Sequence, residues 1–411
     1  MSKREGRLGV AMIGYSFMGR AHSQGWRVAP RFFDLPLDPE MGVLVGRNEE
    51  RARAAADKLG WRDVETDWRR VLERVDVDLV DICTPGDTHA EIAEAALQAG
   101  KHVLVEKPMA NSVPEAERML HAAVAARRQG VRSMVGFTYR RVPALQLARD
   151  LIAEGRIGEV RQVRAQYLQD WLADADAPLS WRLDKEKAGS GALGDIGAHI
   201  VDLTQFITEQ RFAQVSGLLN TFVKERPVAE SFSGLSGVGG SEVGPVTVDD
   251  AAMMIARLDS GAPVVLEATR MAWGRKNAMR IEVNGTQGSL AFDFEDMNVL
   301  ELFDAADGAR TAGYRRILVT EPEHPYVEAW WPAGHGLGYE HGFTHQVVDL
   351  VGAIANGTDP RPSFEDGLHV QRVLDAAERS NAADGERINL PATTEDDPST
   401  NADQTSATTG R

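Results

Sequence analysis

The type and position of Lys107 suit chemistry at a hydroxyl group. It follows the predicted strand 102–106, and it precedes Pro108, which restricts the backbone conformation of the residue before it. A lysine held in this way can donate a hydrogen bond to a substrate hydroxyl and stabilise the alkoxide charge that develops there. The alternative is an ordinary surface lysine on a turn.

Asp195 and His199 form a second candidate for acid–base chemistry. Their spacing of four residues places both side chains on one face of the helix that we predict over residues 194–208. A carboxylate beside an imidazole orients the ring and raises its basicity, which suits a general base near neutral pH. The spacing is equally compatible with a structural role, in which Asp195 completes the helix N-terminus and His199 packs.

A glycine-rich turn at residues 14–19 follows the predicted strand 8–13 and opens a helix. This context is typical of a dinucleotide site, because the helix N-terminus then faces the pyrophosphate. Gly14 permits the tight turn, and Gly19 lets helix and strand pack closely. A plain strand–helix turn is the alternative. In the dinucleotide interpretation the cofactor contacts Gly14, Ser16, Phe17, Met18 and Gly19.

Arg47 stands at the end of the second predicted strand, where an acidic residue would accept from the ribose 2′-hydroxyl of NAD. An arginine there can instead form a bidentate contact with a 2′-phosphate or stack on adenine. The cofactor is therefore expected to be NAD or NADP, with Arg47 favouring NADP. The alternative is a solvated arginine beside a helix cap.

Further polar residues follow two other strands, and aromatic residues precede the Asp195 helix. Residues 84–89 and 106–108 both follow strands of the predicted parallel sheet, at the edge where open α/β sheets bind ligands. Rings with interspersed polar groups suit the apolar faces and hydroxyls of a sugar, although they suit a structural strand and loop as well. The aromatic and polar set is Tyr167, Gln169, Trp171, Trp181 and Arg182.

The elements that must position these residues divide the chain into two domains. Strands alternate with helices up to residue 138, which predicts an α/β domain with a doubly wound parallel sheet over residues 1–138. From residue 139 to residue 391, strands joined by short turns predict an α+β domain with a large, mostly antiparallel sheet for substrate binding and oligomerisation. We interpret residues 225–245 as a flexible loop and residues 392–411 as a disordered tail.

Composition excludes several functional classes. The formal net charge of −16 argues against binding of nucleic acid. The single cysteine, Cys83, excludes an internal disulfide, and we interpret it as a small buried apolar residue. The apolar stretch 8–13 is too short for a signal sequence or a membrane span, so a cytoplasmic location is expected. His341 and His345 have metal-like spacing, but the glutamate of a zinc-protease motif is absent, and no metal site is predicted.

Four motifs in order resemble the glucose–fructose oxidoreductase/inositol dehydrogenase/MocA family over about residues 7–390. They are the glycine turn at 14–19, Thr84-Pro85 with His89, Glu106-Lys107-Pro108, and Gly-Asp-Ile-Gly-Ala-His at 194–199. The resemblance implies that Thr84, Pro85, His89, Glu106 and Lys107 belong to the cofactor site. It also implies that Lys107 contacts the substrate hydroxyl, that His199 and Asp195 transfer the proton, and that Tyr139 and Gln169 contact substrate.

Within this family, the stretches 167–171, 178–182, 189–195 and 267–270 are similar to members that act on anhydrosugars. The resemblance therefore implies an NAD(P)-dependent dehydrogenase that oxidises a ring secondary alcohol of a sugar, anhydrosugar or cyclic polyol, working as a homo-oligomer, a dimer or a tetramer. The alternatives are an inositol dehydrogenase, a glycoside hydrolase that works by transient oxidation, and a non-catalytic nucleotide sensor. Gly46-Arg47 replaces the acidic position of NAD-preferring relatives, which argues against strict use of NAD.

Overall fold

A computed structural model describes residues 6–233 and 236–391, and the predicted tail 392–411 lies outside them. The N-terminal part contains six strands, β1 Arg7–Ile13, β2 Asp38–Val45, β3 Asp63–Glu65, β4 Leu79–Ile82, β5 His102–Val105 and β6 Ser133–Val135. All of them pair in parallel, in the order β3-β2-β1-β4-β5-β6. The order reverses between β1 and β4, which is where such sheets open a ligand crevice. The predicted doubly wound sheet is confirmed.

Five helices cover this sheet: α1 Phe17–Phe32, α2 Glu49–Leu59, α3 Arg69–Glu73, α4 His89–Gln98 and α5 Val113–Arg127. Their starts follow local capping rules. The side chain of Asn48 accepts from the backbone N–H of Arg51, and that of Ser112 accepts from the backbone N–H of Glu115. The helix after the glycine turn includes Pro30 in its last turn.

The second sheet has nine strands and is mostly antiparallel, as predicted. Its members are β7 Val160–Leu168, β8 Phe212–Asn220, β11 Ala251–Leu258, β12 Pro263–Thr269, β13 Ala278–Gly285, β14 Gly288–Asp293, β15 Val299–Asp304, β16 Arg315–Leu318 and β17 Ile388–Asn389. The order is β16-β15-β14-β13-β7-β12-β11-β8-β17, and β7 and β12 form the one parallel pair among these strands. This register brings the ends of β7, β12 and β13 together.

The helices of the second half are α6 Pro143–Ala153, α7 Lys185–Ala188, α8 Ala198–Thr208, α9 His341–Asn356 and α10 Phe364–Ala382. Of these, α6, α8 and α10 pack on one face of the second sheet. A π-helical turn, Leu193–Gly197, precedes α8. No helix in the described part of the chain is long and apolar enough to span a bilayer.

The interpretation of residues 225–245 as a flexible loop is wrong. Glu225–Ser233 forms β9 and Ser236–Pro245 forms β10, and the two strands pair in an antiparallel hairpin. The Arg226 side chain is fully buried and donates to the carbonyl oxygens of Leu172, Asp174 and Ala177. Glycine and serine content suggested flexibility, but backbone pairing and one buried arginine fix the segment.

Helix α9 returns to the N-terminal domain, although it lies late in the chain. Val347, Leu350 and Val351 of α9 share a buried cluster with Trp26 of α1. The two helices approach closely at Gly25, where a Cβ atom would lie 2.7 Å from the carbonyl oxygen of Phe343. The first parallel sheet is therefore covered by residues from both ends of the chain.

Candidate active site

Lys107 and Asp195 meet where the first sheet faces the π-helical turn before α8. Lys107 is the second residue after β5, next to Glu106. Its Nζ donates to the carbonyl oxygen of Asp195 at 2.6 Å and lies 3.4 Å from Oδ1 of the same residue. Its side chain is 13% exposed, so the amino group is partly withdrawn from water but still reachable by a ligand. The contact joins the two domains at one point.

Asp195 is held as a carboxylate by three cations. Oδ1 faces Lys107, and Oδ2 lies 3.5 Å from NH1 of Arg270, a residue with no exposed surface. Burial alone would raise the pKa of Asp195, but the charges of Lys107, Arg270 and Arg182 hold it well below its usual range. Asp195 therefore orients these donors and does not act as an acid near neutral pH.

His199 is a neutral imidazole beside the same cation. Burial and the charge of Lys107 lower the pKa of His199 well below 6.5, and Asp195 opposes this shift only partly. Its Nδ1 is buried and has no hydrogen-bond partner in the described part of the chain, and its ring lies 4.6 Å from that of Tyr139. A neutral ring with an unused nitrogen can accept a proton.

The expected Asp195–His199 hydrogen bond is absent from the described contacts, and the basicity of His199 is lowered rather than raised. Two features explain the difference. Asp195 lies in a π-helical turn rather than in the regular α-helix assumed from the spacing, and its oxygens face Lys107 and Arg270. The two residues share the site, and each of them is influenced by the charge of Lys107.

A chain of hydrogen bonds lines the wall next to His199. Tyr167 donates to Oδ1 of Asn277 at 2.7 Å, so Tyr139 donates to Tyr167, with 2.5 Å between their hydroxyl oxygens. Gln169 also donates to Oδ1 of Asn277, at 2.9 Å, and its Oε1 accepts from the indole of Trp171 at 3.0 Å. Burial raises the pKa of Tyr139 and of Tyr167, so both remain phenols. Such a wall offers fixed donors and acceptors to a polyhydroxy ligand.

We call the space beside Lys107, Asp195 and His199 the cleft. Arg182, next to Trp181 in the chain, lies near it, because its charge is among those that lower the pKa of Asp195. The guanidinium of Arg182 lies 4.5 Å from the ring centroid of Trp181, and the indole is 37% exposed. Burial lowers the pKa of Arg182, and the charge of Asp195 partly compensates. An exposed indole carrying a guanidinium on its face presents an apolar surface beside hydrogen-bond donors.

The glycine turn has the geometry that a dinucleotide requires. Gly14 has φ +101°, and a Cβ there would lie 2.7 Å from the carbonyl oxygen of Cys83. A Cβ at Gly19 would lie 2.2 Å from the carbonyl oxygen of Gly14. Ser16 starts α1 without capping it by its side chain, so the backbone N–H groups of the first turn are left for a ligand. These residues fit a bound pyrophosphate.

Phe17 extends this turn towards the cleft. Its ring is 42% exposed and stacks on Tyr339 with 6.3 Å between centroids, and Tyr339 in turn contacts Phe294 beside Tyr139. Met18 is partly buried on the opposite side, against the core of the first domain. Of the two side chains, Phe17 is the one that borders the cleft.

The remaining residues expected at the cofactor lie at the same sheet edge. Arg47 is exposed just beyond β2. Thr84 and Pro85 form the turn after β4, where the hydroxyl of Thr84 accepts from Thr88 at 2.7 Å. His89 is buried, with its ring nitrogens 3.0 and 2.9 Å from the carbonyl oxygens of Pro108 and Thr84. It holds two strand ends together beneath the surface that a ligand would reach.

Residues important to this geometry were not among the predicted site residues. Arg270, Asn277 and Tyr339 come from the ends of β12 and β13 and from the segment before α9. They reach the cleft through sheet register and long-range packing, which no local spacing reveals. Of these three residues, only Arg270 could have been found from the sequence, because it ends the stretch 267–270 that is similar to members of the family.

Comparison with known protein families agrees with this geometry. A model of the oxidoreductase family with an NAD-binding Rossmann fold matches residues 8–137, and a model of the GFO/IDH/MocA C-terminal domain matches residues 145–291. The chain belongs to the GFO/IDH/MocA family of oxidoreductases. The family suggested by the four sequence motifs is thereby confirmed.

Three relatives within the GFO/IDH/MocA family are informative. Levoglucosan dehydrogenase of Pseudarthrobacter phenanthrenivorans is 41% identical over 91% of this chain and 96% of its own length. A solved structure of a levoglucosan dehydrogenase in complex with NADH and levoglucosan is 40% identical, with TM-score 0.88, over 94% of this chain and all of the other. An oxidoreductase domain protein from Kribbella flavida is 67% identical, with TM-score 0.90, over 94% of this chain and all of the other.

The β9–β10 hairpin holds the loop that carries Trp171, and this role can be tested. Arg226 ties the hairpin to the loop that begins at Trp171 and ends at Arg182, through three carbonyl oxygens. Replacement of Arg226 by methionine should loosen this loop and raise KM for the substrate about tenfold or more, while the Kd of the dinucleotide stays unchanged. Steady-state kinetics and fluorescence titration measure the two quantities. Arg53→Met, on the exposed face of α2, is the control, and a parallel loss of dinucleotide binding in R226M would contradict a local effect.

Proposed function

We propose that this protein is an NAD(P)-dependent dehydrogenase that transfers a hydride between a ring secondary alcohol and the nicotinamide. One observation carries the proposal. Lys107 donates to the carbonyl oxygen of Asp195 in the turn that leads into α8, the neutral His199 lies in the first turn of that helix, and Lys107 follows the same sheet edge as the glycine turn. A donor and a base at one hydroxyl are what oxidation of an alcohol requires.

The residues of the chain have separate tasks in this reaction. The nicotinamide supplies the hydride acceptor or donor when it is bound. His199 accepts the hydroxyl proton, Lys107 donates to the same oxygen and stabilises its developing charge, and Asp195 holds Lys107 in position. In the reductive direction, His199 returns the proton.

The substrate class that we propose is a pyranose or anhydropyranose, with cyclic polyols as the next class. The support is the wall of alternating rings and amides from Tyr139 to Trp171, together with the similarity to levoglucosan dehydrogenase. A relative from Rhizobium meliloti named inositol 2-dehydrogenase is 27% identical over 74% of this chain, which keeps cyclic polyols in the proposal.

The experiment that tests this function is a panel of pyranoses, anhydrosugars, glycosides and inositols, each assayed with NAD and with NADP. A dehydrogenase forms one reduced nucleotide for each alcohol oxidised, which absorbance at a near-ultraviolet wavelength follows directly. Release of sugar from a glycoside without net reduction of nucleotide would instead show hydrolysis by transient oxidation. Binding of nucleotide without turnover of any compound would show a sensor.

Arg47 decides the cofactor preference that we propose. If its exposed guanidinium binds a 2′-phosphate, Arg47→Ala should raise KM for NADP about tenfold or more and change KM for NAD by less than about twofold. The variant Arg70→Ala, at an exposed position on α3, should change neither value. Equal effects on both nucleotides would mean that Arg47 stacks on adenine and does not select NADP.

We also propose that the protein works in the cytoplasm as a homo-oligomer that buries the uncovered face of the second sheet. Met253 and Ile255 on β11, Val265 on β12 and Leu218 on β8 expose apolar side chains on that face. Contiguous apolar surface of this kind is typical of subunit interfaces. Light scattering coupled to size-exclusion chromatography distinguishes a dimer or tetramer from a monomer.

A further inference from the structure

Three charged side chains form a buried cluster beneath the carboxyl edge of the first sheet. His22 on α1 is 1% exposed, Asp81 on β4 is 0% exposed, and Glu106, which directly follows β5, is 4% exposed. Nδ1 of His22 lies 2.9 Å from both carboxylate oxygens of Asp81, and its Nε2 lies 3.0 Å from Oε1 of Glu106. One imidazole thus lies between two carboxylates.

The contacts of His22 accommodate a protonated ring. An imidazolium has two N–H groups and can donate to a carboxylate from each nitrogen. Burial alone would lower the pKa of His22, but the charge and hydrogen bond of Asp81 raise it well above 6.5. Asp81 also accepts from the indole of Trp26 at 2.7 Å. Two carboxylates and one imidazolium leave one negative charge uncompensated within the cluster.

The carboxylate of Glu106 is the negative charge of the cluster that lies next to Lys107. Its Oε2 accepts from the backbone N–H of Lys107 at 3.3 Å. At the end of β6, a Cβ on Gly136 would lie 2.7 Å from Oε1 of Glu106, so the missing side chain leaves room for the carboxylate. After burial, the charge of Glu106 is among the influences that raise the pKa of Tyr139 and of Tyr339. Its field therefore reaches side chains that line the cleft.

The side chains around the cleft carry an excess of positive charge. Around Asp195, the cations Lys107, Arg270 and Arg182 outnumber the single carboxylate. A nicotinamide ring is neutral when reduced and cationic when oxidised, so this surplus of positive charge disfavours the oxidised form. Glu106, next to Lys107 in the chain, is positioned to offset it.

We propose that Glu106 is the counter-charge of the oxidised nicotinamide, and that His22 and Asp81 are positioning residues that fix its carboxylate. The proposal rests on the dinucleotide function proposed above. It assigns a role to α1 beyond the glycine turn, since the histidine that orients Glu106 is on the same helix. The cluster thereby sets the ratio of the affinities for oxidised and reduced nucleotide.

The test uses the purified full chain without sugar, and measures the Kd of NAD+ and of NADH separately by titration. Glu106→Gln removes the charge and keeps the shape, and should weaken NAD+ binding about tenfold with little change for NADH. That ratio corresponds to a midpoint potential of the bound couple raised by about 30 mV. The charge-conserving Glu106→Asp should keep the ratio within about threefold of the wild-type value, even where both affinities fall.

Asp57→Asn is the matched control, because it removes one formal negative charge from the exposed face of α2 in the same domain. The ratio of the two Kd values in this variant should stay within about twofold of wild type. If Glu106→Gln does not fold, the double variant Asp81→Asn/Glu106→Gln leaves a neutral imidazole between two amides, removes the same net charge, and should show the same tenfold shift.

Two outcomes would overturn the proposal. Equal weakening of NAD+ and NADH in Glu106→Gln would show that Glu106 only shapes the site. A shift in Asp57→Asn as large as that in Glu106→Gln would show that the ratio follows the net charge of the protein and not a charge at Glu106. The NADP+/NADPH pair serves in the same way if the wild type binds only those nucleotides, and wild-type protein that binds neither pair would refute the proposed function itself.

Discussion

Replacement of Lys107 by methionine is expected to lower kcat about a thousandfold, with the Kd of NADH changed by less than about threefold. Methionine keeps the length of the side chain but removes the charge and the donors that we assign to the reacting oxygen. The Nζ atom lies 2.6 Å from the carbonyl oxygen of Asp195, so the side chain is already fixed in the cleft before a substrate arrives. Steady-state kinetics with the best substrate of the panel, and titration with NADH, measure the two effects.

Lys58→Met is the control for this prediction, since Lys58 is exposed on α2, a helix of the first domain. Circular dichroism and thermal unfolding check that both variants fold. A Lys107→Met enzyme that turns over at nearly the wild-type rate would remove the lysine from the mechanism, whatever its effect on KM.

Replacement of His199 by asparagine is expected to lower kcat for alcohol oxidation by about a thousandfold, because a general base contributes about 10²–10⁴. His199→Asn keeps a polar group of similar width but cannot accept the hydroxyl proton at neutral pH. The exposed His121→Asn, on α5, should behave as the wild type. A loss of only a few-fold would show that another group, or solvent, takes the proton.

The lowered pKa of His199 also predicts the direction of the pH dependence. Because burial and the charge of Lys107 hold this pKa well below 6.5, His199 remains an unprotonated base throughout the neutral range. The wild-type kcat/KM for oxidation should therefore stay constant as the pH falls to 6.5, and decline only at lower pH. Reduction of the ketone requires the protonated ring, so its kcat/KM should rise as the pH falls. A decline of the oxidation rate centred near 6.5 would contradict the assignment.

Much of the fold could be predicted because its causes are local. Apolar strands alternate with capped helices over residues 8–135, and parallel pairing follows from the length of the connections. Short glycine-containing turns at 259–261 and 284–287 predicted antiparallel neighbours in the second sheet. The hairpin 225–245 could not be predicted, because its order depends on Arg226 reaching carbonyl groups about fifty residues earlier in the chain.

The main residues of the candidate site could be predicted from the sequence, but the contacts between them could not. Lys107, Asp195 and His199 were found from motif and spacing, and the structure brings them together. The sequence suggested that Asp195 supports His199, whereas its carboxylate faces Lys107 and Arg270. Arg270 enters from β12, seventy-five residues later, and only sheet register shows that it competes for this carboxylate.

The return of α9 to the first domain has a consequence for dissecting this protein. A fragment ending at residue 138 would contain every glycine of the nucleotide turn, yet it would lack the side chains that cover Trp26. Such a fragment would expose apolar side chains of α1 to water and is expected to aggregate on expression. The two halves expressed separately would therefore not have the packing of the full chain, because the helix that completes the nucleotide-binding half lies more than two hundred residues later in the sequence.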